Sequence, residues 1–220
     1  LLTACGNSAP AGPSADTAYF TSAISEEASH SSTPAGTVYS AETERDAGTL
    51  PMKNGFITEQ ILQSPDGDIH YSYYLPEDYD PQQAYPMMVV LPGYGEMWFG
   101  ENSSGKNLDW RGTLVWTELD EKLIVVSAQL TDWGETSARQ AIRLTEYFLQ
   151  NFAVDRNRVY AAGYSAGGET MSRAVSMRPD LYAAYLHGAS QWDGTFAEVA
   201  AEGVAVYIYM AESDEYYGSQ

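Results

Sequence analysis

Cysteine is almost missing from this sequence of 220 residues. The one Cys, Cys5, excludes a disulfide framework and any zinc site built on thiolates, since both need at least two thiols. Histidine is nearly as scarce, with only His30, His70 and His187. Positive charge is short as well: Lys+Arg number 11 against 30 Asp+Glu, a formal net charge of −19. A surface this acidic repels phosphate backbones and anionic headgroups, so nucleic acid is not an expected partner and neutral or cationic ligands remain. No stretch approaches the roughly 18 to 20 apolar residues of a membrane-spanning helix. Aromatic side chains, by contrast, are plentiful. Seventeen Tyr, 5 Trp and 6 Phe within a hydrophobic share of 44% can fill the interior of one domain of ordinary size.

Residues 1–50 are rich in Ala, Ser, Thr, Gly and Pro, show no apolar periodicity and end in the charged run Glu42–Asp46, the composition of a linker. Their start, Leu2-Thr3-Ala4-Cys5-Gly6, resembles the lipobox at which bacterial lipoproteins are cut and acylated on Cys, with Leu1-Leu2 as the tail of a signal peptide. That resemblance implies lipidation of Cys5 and a chain tethered at the outer face of a bacterial membrane, with no membrane contact beyond the anchor.

From residue 51 onward the pattern becomes that of a single domain. Gly55–Gln63 and Ile69–Leu75 read as strands flanking Ser64-Pro65-Asp66-Gly67-Asp68, a turn sequence, and predict an antiparallel hairpin. Asp66 and Asp68 are read as turn residues, with calcium binding as the rival. Met87–Leu91, Leu123–Ala128, Val159–Ala162, Ala184–His187 and Val204–Met210 are short apolar runs suited to parallel strands covered on both faces. Between them, Ser137–Phe152 sets Ala141, Leu144, Thr145, Phe148 and Phe152 along one stripe, opposite Arg139, Arg143, Glu146 and Gln150, which predicts a helix lying on the sheet. The alternation implies an open, mostly parallel α/β sheet with helices on both faces.

The most informative segment is Gly163-Tyr164-Ser165-Ala166-Gly167-Gly168, which follows a strand directly and precedes the helix-competent Glu169–Ser176. This is a G-x-S-x-G sequence in its strand–turn–helix setting, where a tight turn forces the serine outward and a helix N-terminus favours negative charge beside it. The longer block Val154-Asp155-Arg156-Asn157-Arg158-Val159-Tyr160-Ala161-Ala162-Gly163-Tyr164-Ser165-Ala166-Gly167-Gly168 resembles that of α/β-hydrolase fold serine esterases. Feruloyl and acetyl-xylan esterases and polyhydroxybutyrate-depolymerase-like carboxylesterases are the nearest in pattern, over residues 55–220. The resemblance implies an acyl-enzyme on Ser165, a Ser–Asp–His triad, no metal and no organic cofactor. Leu91-Pro92-Gly93-Tyr94-Gly95-Glu96 is similar to the family's oxyanion loop, with Pro92 in place of the usual His. It implies backbone donors at Ala166 and at Tyr94 or Gly95. Ala211-Glu212-Ser213-Asp214-Glu215-Tyr216-Tyr217-Gly218 is similar to the segment that carries the acid, and matches it to Asp214, with Glu212 and Glu215 as competitors.

The base is missing. In this fold the triad runs Ser, acid, His in chain order, and no His follows Asp214. His187 precedes the acid and reads as a satisfied structural histidine. Both ends of the sequence therefore read as cut, with the last strand and its His loop lying beyond residue 220. The chain as given is expected to turn over esters poorly or not at all.

Trp98, Trp110, Trp133 and Trp192 fall after strands, at the end of the sheet where such sites lie. Trp98, Trp133 and Trp192 are accordingly candidates for binding substrate, with core packing as the alternative. The expected activity is hydrolysis of feruloyl or acetyl esters of plant polysaccharides. Two rivals stand beside it: a prolyl-oligopeptidase-like peptidase, whose extra domain a 50-residue linker does not supply, and a lipid-anchored, non-catalytic glycan-binding protein.

Overall fold

A computed structural model describes residues 50–100 and 102–217; Cys5, His30 and the rest of the expected linker and lipobox lie outside the described residues. The strands are β1 (Met52–Lys53), β2 (Phe56–Leu62), β3 (Ile69–Tyr74), β4 (Tyr85–Leu91), β5 (Ile124–Gln129), β6 (Val154–Tyr164), β7 (Ala184–Gly188) and β8 (Ala205–Tyr209). The helices are α1 (Arg111–Leu114), α2 (Glu135–Asn151), α3 (Ala166–Met177) and α4 (Phe196–Glu202). All residues of β4 and β5 are buried, as strands covered on both faces must be. The single sheet runs β1-β2-β3-β5-β4-β6-β7-β8. β4 lies parallel to β5 and β6, and the parallel pairing continues through β7 to β8. β1, β2 and β3 are antiparallel, and β3 joins β5 antiparallel.

This order makes β4 a switch point. The chain leaves it toward β5 on one side and returns to β6 on the other, so loops after β4 and β6 part and leave a crevice at their carboxyl ends. The expected hairpin is present as β2 and β3, and its turn closes through Gly67 N–H to Ser64 O at 3.1 Å. Asp66 is occupied by Arg139, 2.8 Å away. The hairpin departs from expectation in one place: a register shift between Ile57 and Gln60, with Glu59 at φ 57°.

One face of the sheet is covered by α2 and α3. Helix α2 buries Ala141, Leu144, Thr145 and Phe148, the stripe read from the sequence. It starts at Glu135, two residues before the predicted Ser137, where the Asp132 carboxylate accepts N–H groups from Gly134 (2.9 Å) and Ser137 (3.3 Å). Phe148 is the focus of this layer, meeting Tyr71, Tyr73, Tyr147 and Phe152 at centroid distances of 4.4–5.8 Å. The other face buries Phe56, Met88, Val90, Leu108, Leu123, Val125 and Ala162 under residues 106–118, with Trp110, Leu114 and Trp116 packed against them. That cover stops short of β8. A groove of about 420 Å³ runs past Met88, Tyr160, Leu186 and Tyr207. Every residue of β8 is exposed, although its sequence, Ala-Val-Tyr-Ile-Tyr, is that of a buried strand.

Phe148→Ala should destabilise the fold by about 3–5 kcal/mol, because it opens a void in the aromatic layer between β3 and α2. Urea unfolding of this variant beside wild type measures the loss; a cost below about 1 kcal/mol would mean that α2 is not anchored there.

Candidate active site

β6 delivers the chain to Ser165, which sits at φ 53°, ψ −126° as the residue before α3. A non-glycine residue with positive φ costs about 1–3 kcal/mol and persists only where its surroundings hold it. Here they hold it from both sides. Ser165 N–H donates to Gly188 O (3.1 Å), and Ser165 O accepts from Gly168 N–H (2.7 Å), Glu169 N–H (3.1 Å) and the Ser190 hydroxyl (2.8 Å). The glycines of the motif are required by space. A Cβ on Gly163 would lie 2.6 Å from Gly167 O, and one on Gly167 would lie 2.3 Å from Pro92 O and 2.4 Å from Leu91 O.

The second of these contacts presses α3 against the loop that follows β4. Past Leu91-Pro92, Gly93 lies against the Tyr164 ring, and Tyr94–Glu96 forms a single 3-10 turn in which the N–H groups of Glu96 and Met97 bond to Gly93 O. Tyr94 and Gly95 open that turn and Ala166 opens α3, so these backbone N–H groups have no acceptor within their own helices. The three expected oxyanion donors thus come from two helix starts packed against one another.

The loop after β8 reaches the same place. Asp214 is half-buried, and its Oδ1 accepts N–H groups from Tyr216 (2.9 Å) and Tyr217 (2.8 Å), whereas Glu212 and Glu215 are exposed. The turn built on Asp214 carries Tyr217 to the first turn of α3. The Tyr217 hydroxyl donates to Glu169 Oε1 (2.8 Å), one helical turn beyond Ser165. Burial pushes the Glu169 carboxyl up, against the pull of the Tyr217 hydrogen bond. Burial also pushes the Tyr217 phenol up, so it stays protonated near neutral pH. Sequence reasoning did not single out Glu169 or Tyr217. Glu169 lies four residues after Ser165, one helical turn on, a spacing visible in the sequence; the place of Tyr217 depends on where β8 lands.

His187 lies beneath the elbow, 2% exposed. Its Nδ1 meets the Tyr185 hydroxyl at 2.7 Å and its Nε2 meets Ser190 O at 2.9 Å. A carbonyl can only accept, so Nε2 carries the proton, and burial pushes the imidazole pKa down, keeping the ring neutral. With both nitrogens engaged, His187 supports the elbow through Ser190. His70 stacks on Trp98 with ring centroids 4.0 Å apart. Trp192 packs on Phe196 (4.8 Å), Tyr185 and His187, with its indole N–H buried. Trp110 stacks on Tyr164, the residue before Ser165, at 5.2 Å. Trp133 is 44% exposed and meets Tyr94 and Phe99. Among the described residues, no group of three or more His, Cys, Asp or Glu side chains could hold a metal ion.

Residues 127–216, which include Ser165 and Asp214, match the prolyl oligopeptidase family model. No curated protein sequence matches the chain. Among solved structures, a thermostable esterase is similar over 75% of this chain and 48% of its own, with 22% identity and a TM-score of 0.66. A feruloyl esterase module from Clostridium thermocellum, complexed with sinapinate, is 14% identical with a TM-score of 0.50, over 72% of this chain and 68% of its own. Oligopeptidase B from Trypanosoma brucei, with covalently bound antipain, is 19% identical with a TM-score of 0.46, over 63% of this chain and 21% of its own. The chain therefore spans about half the length of the first of these and about a fifth of the last. Its sheet order, its elbow and the similarity to the thermostable esterase establish the α/β-hydrolase fold.

Gly167→Ala should cost about 1–3 kcal/mol in urea unfolding, whereas Gly95→Ala, with nothing within 4 Å of the added methyl, should stay within about 0.5 kcal/mol of wild type. Equal stability of the two variants would contradict the close approach of α3 to the loop after β4. His187 gives a pH signature. Its pKa in the folded protein lies below the usual 6.5, so the unfolded chain takes up the proton first. Its contribution is complete above about pH 6.5 and is lost as pH falls toward the lowered value. The fall in wild-type urea midpoint between about pH 7 and about pH 5 should therefore be shallower in His187→Gln; equal slopes would contradict the buried, neutral assignment.

Proposed function

We propose that this protein is a serine hydrolase of carboxylic esters. The observation that carries the reading is Ser165 itself, held at φ 53° between two unpaired helix starts. Ser165 Oγ attacks the ester carbonyl carbon while a base takes its proton, and the carbonyl π electrons move onto oxygen. The oxyanion rests on the N–H groups of Ala166 and of Tyr94 or Gly95. Collapse of this intermediate releases the alcohol, which takes up the proton, and leaves the acyl group on Ser165. Water repeats the sequence and frees the carboxylic acid.

The base in this account is a histidine on chain that follows residue 220 and packs at the outer edge of β8. Supporting this are the exposed apolar residues of β8, the groove beside it, and Asp214, whose Oδ1 is engaged by backbone while Oδ2 has no hydrogen-bond partner among the described residues. Asp214 then accepts from that histidine and holds its ring toward Ser165. The substrates proposed are acetyl or feruloyl esters of plant polysaccharides, reached from a lipid anchor on Cys5 at the cell surface. The match to the prolyl oligopeptidase family model favours a second reading, hydrolysis of peptide bonds at the same serine.

Hydrolysis of p-nitrophenyl acetate and of a prolyl p-nitroanilide peptide separates these. The protein continued to its natural stop codon should cleave the ester, with Ser165→Ala slower by about a thousandfold or more and the 220-residue chain near that same floor. Cleavage of the peptide but not of the ester would favour the peptidase. Equal inertness of the longer wild type and its Ser165→Ala variant would contradict both, and leave binding without turnover.

A further inference from the structure

Residues 211–217, which carry Asp214, form a turn that holds itself together. Asp214 N–H donates to Ala211 O (3.1 Å), and Asp214 Oδ1 accepts the N–H groups of Tyr216 and Tyr217. The turn lies open to solvent at residues 211–213, 215 and 216, while Asp214 and Tyr217 are half-buried. It leaves β8, a strand at the end of the sheet that is exposed along its whole length. A unit hung from an exposed strand moves as one piece, and its place on the domain depends on the contact at its far end. That contact is the Tyr217 hydroxyl, which donates to Glu169 Oε1 at 2.8 Å.

Glu169 is itself tied to the nucleophile, because its N–H donates to Ser165 O (3.1 Å) in the first turn of α3. Arg173, one turn further along α3, is paired with Asp193 at 2.9 Å, so among the described residues Tyr217 supplies the hydrogen bond to the Glu169 carboxylate. Burial pushes that carboxyl up, and the Asp193 charge adds to the push. An apolar side chain would sit there with less strain on its surroundings, unless the acceptor oxygen is used. We propose that Glu169 and Tyr217 are positioning residues, whose hydrogen bond docks the acid loop on the helix that follows Ser165 and so fixes the span a base must bridge between Asp214 and the nucleophile. This assignment rests on the ester-hydrolase reading for the role of Asp214. The connection runs from Ser165 O through the N–H and carboxylate of Glu169 to the hydroxyl and N–H of Tyr217, and ends on Asp214 Oδ1. Loss of its middle link frees the acid and leaves the hydrogen bonds of the elbow in place.

The test uses the protein continued to its natural stop codon, with kcat and KM for p-nitrophenyl acetate and amide hydrogen exchange at residues 214–217 as the two readouts. Tyr217→Phe and Glu169→Ala should each lower kcat by about tenfold to a hundredfold with KM within about twofold of wild type, since misplacing an orienting group by about 1 Å costs rate on that scale. The double variant should be no slower than either single one, because both remove the same bond. Glu169→Gln keeps an acceptor oxygen and should recover most of kcat. Exchange at the Tyr216 and Tyr217 amides should quicken by about tenfold in Tyr217→Phe and far less in Glu169→Gln. Unaltered exchange in Tyr217→Phe, an unaltered kcat beside an active wild type, or losses that multiply in the double variant would overturn the proposal. An inert wild type would contradict the ester-hydrolase reading, and the exchange comparison would then decide the docking of the loop by itself.

Discussion

The constraint on which the site depends is the contact of Gly167 with the backbone of Leu91 and Pro92, where not even a methyl group fits. It brings the first turn of α3 against the end of β4, and two separate sequence segments meet at one point because of it. Without it the start of α3 and the turn at residues 94–96 would not be held together. The sheet order makes this contact possible, since β4 and β6 are neighbours although β5 and α2 lie between them in sequence. The central strands are thus selected for more than burial. They set two chain reversals side by side.

The strain at Ser165 is balanced from below by a polar layer. Ser190 and Gly188 hold the serine backbone, His187 holds Ser190, and Tyr185 meets both His187 and Gly168 O. Ala189, between Gly188 and Ser190, is itself at φ 41°, so the loop that restrains the elbow is strained as well. The one Tyr185 hydroxyl proton lies between His187 Nδ1 and Gly168 O, and Nε2 of His187 donates to Ser190 O, so this layer holds the loop through hydrogen bonds rather than by packing alone. From above, Asp214 orders the turn that carries Tyr217 to Glu169 in the first turn of α3.

Much of this was legible in the sequence. The uninterrupted apolar runs gave the parallel strands, because a strand buried on both faces leaves no room for polar alternation. The stripe of Ala141, Leu144, Thr145 and Phe148 gave α2, and the glycines around Ser165 gave the elbow. What was not legible is short or tertiary. The turns at residues 94–96 and 106–118 are too brief to show a period, and the bulge at Glu59 has no glycine to announce it. α4 is a two-turn helix of seven residues that escaped notice for the same reason. The separate fates of the tryptophans, with Trp192 packed against Tyr185, His187 and Phe196, Trp98 stacked on His70 and Trp133 left open, depend on which strands became neighbours.

The account stands or falls on Ser165 as a nucleophile. Brief incubation of the protein, continued to its natural stop codon, with p-nitrophenyl acetate at low pH, followed by acid quench, proteolysis and mass spectrometry, tests this directly. The account predicts one acetyl group on the peptide that contains Ser165, and none in the Ser165→Ala variant. Turnover of the ester with the acetyl group on another residue, or unchanged turnover by Ser165→Ala, would contradict it.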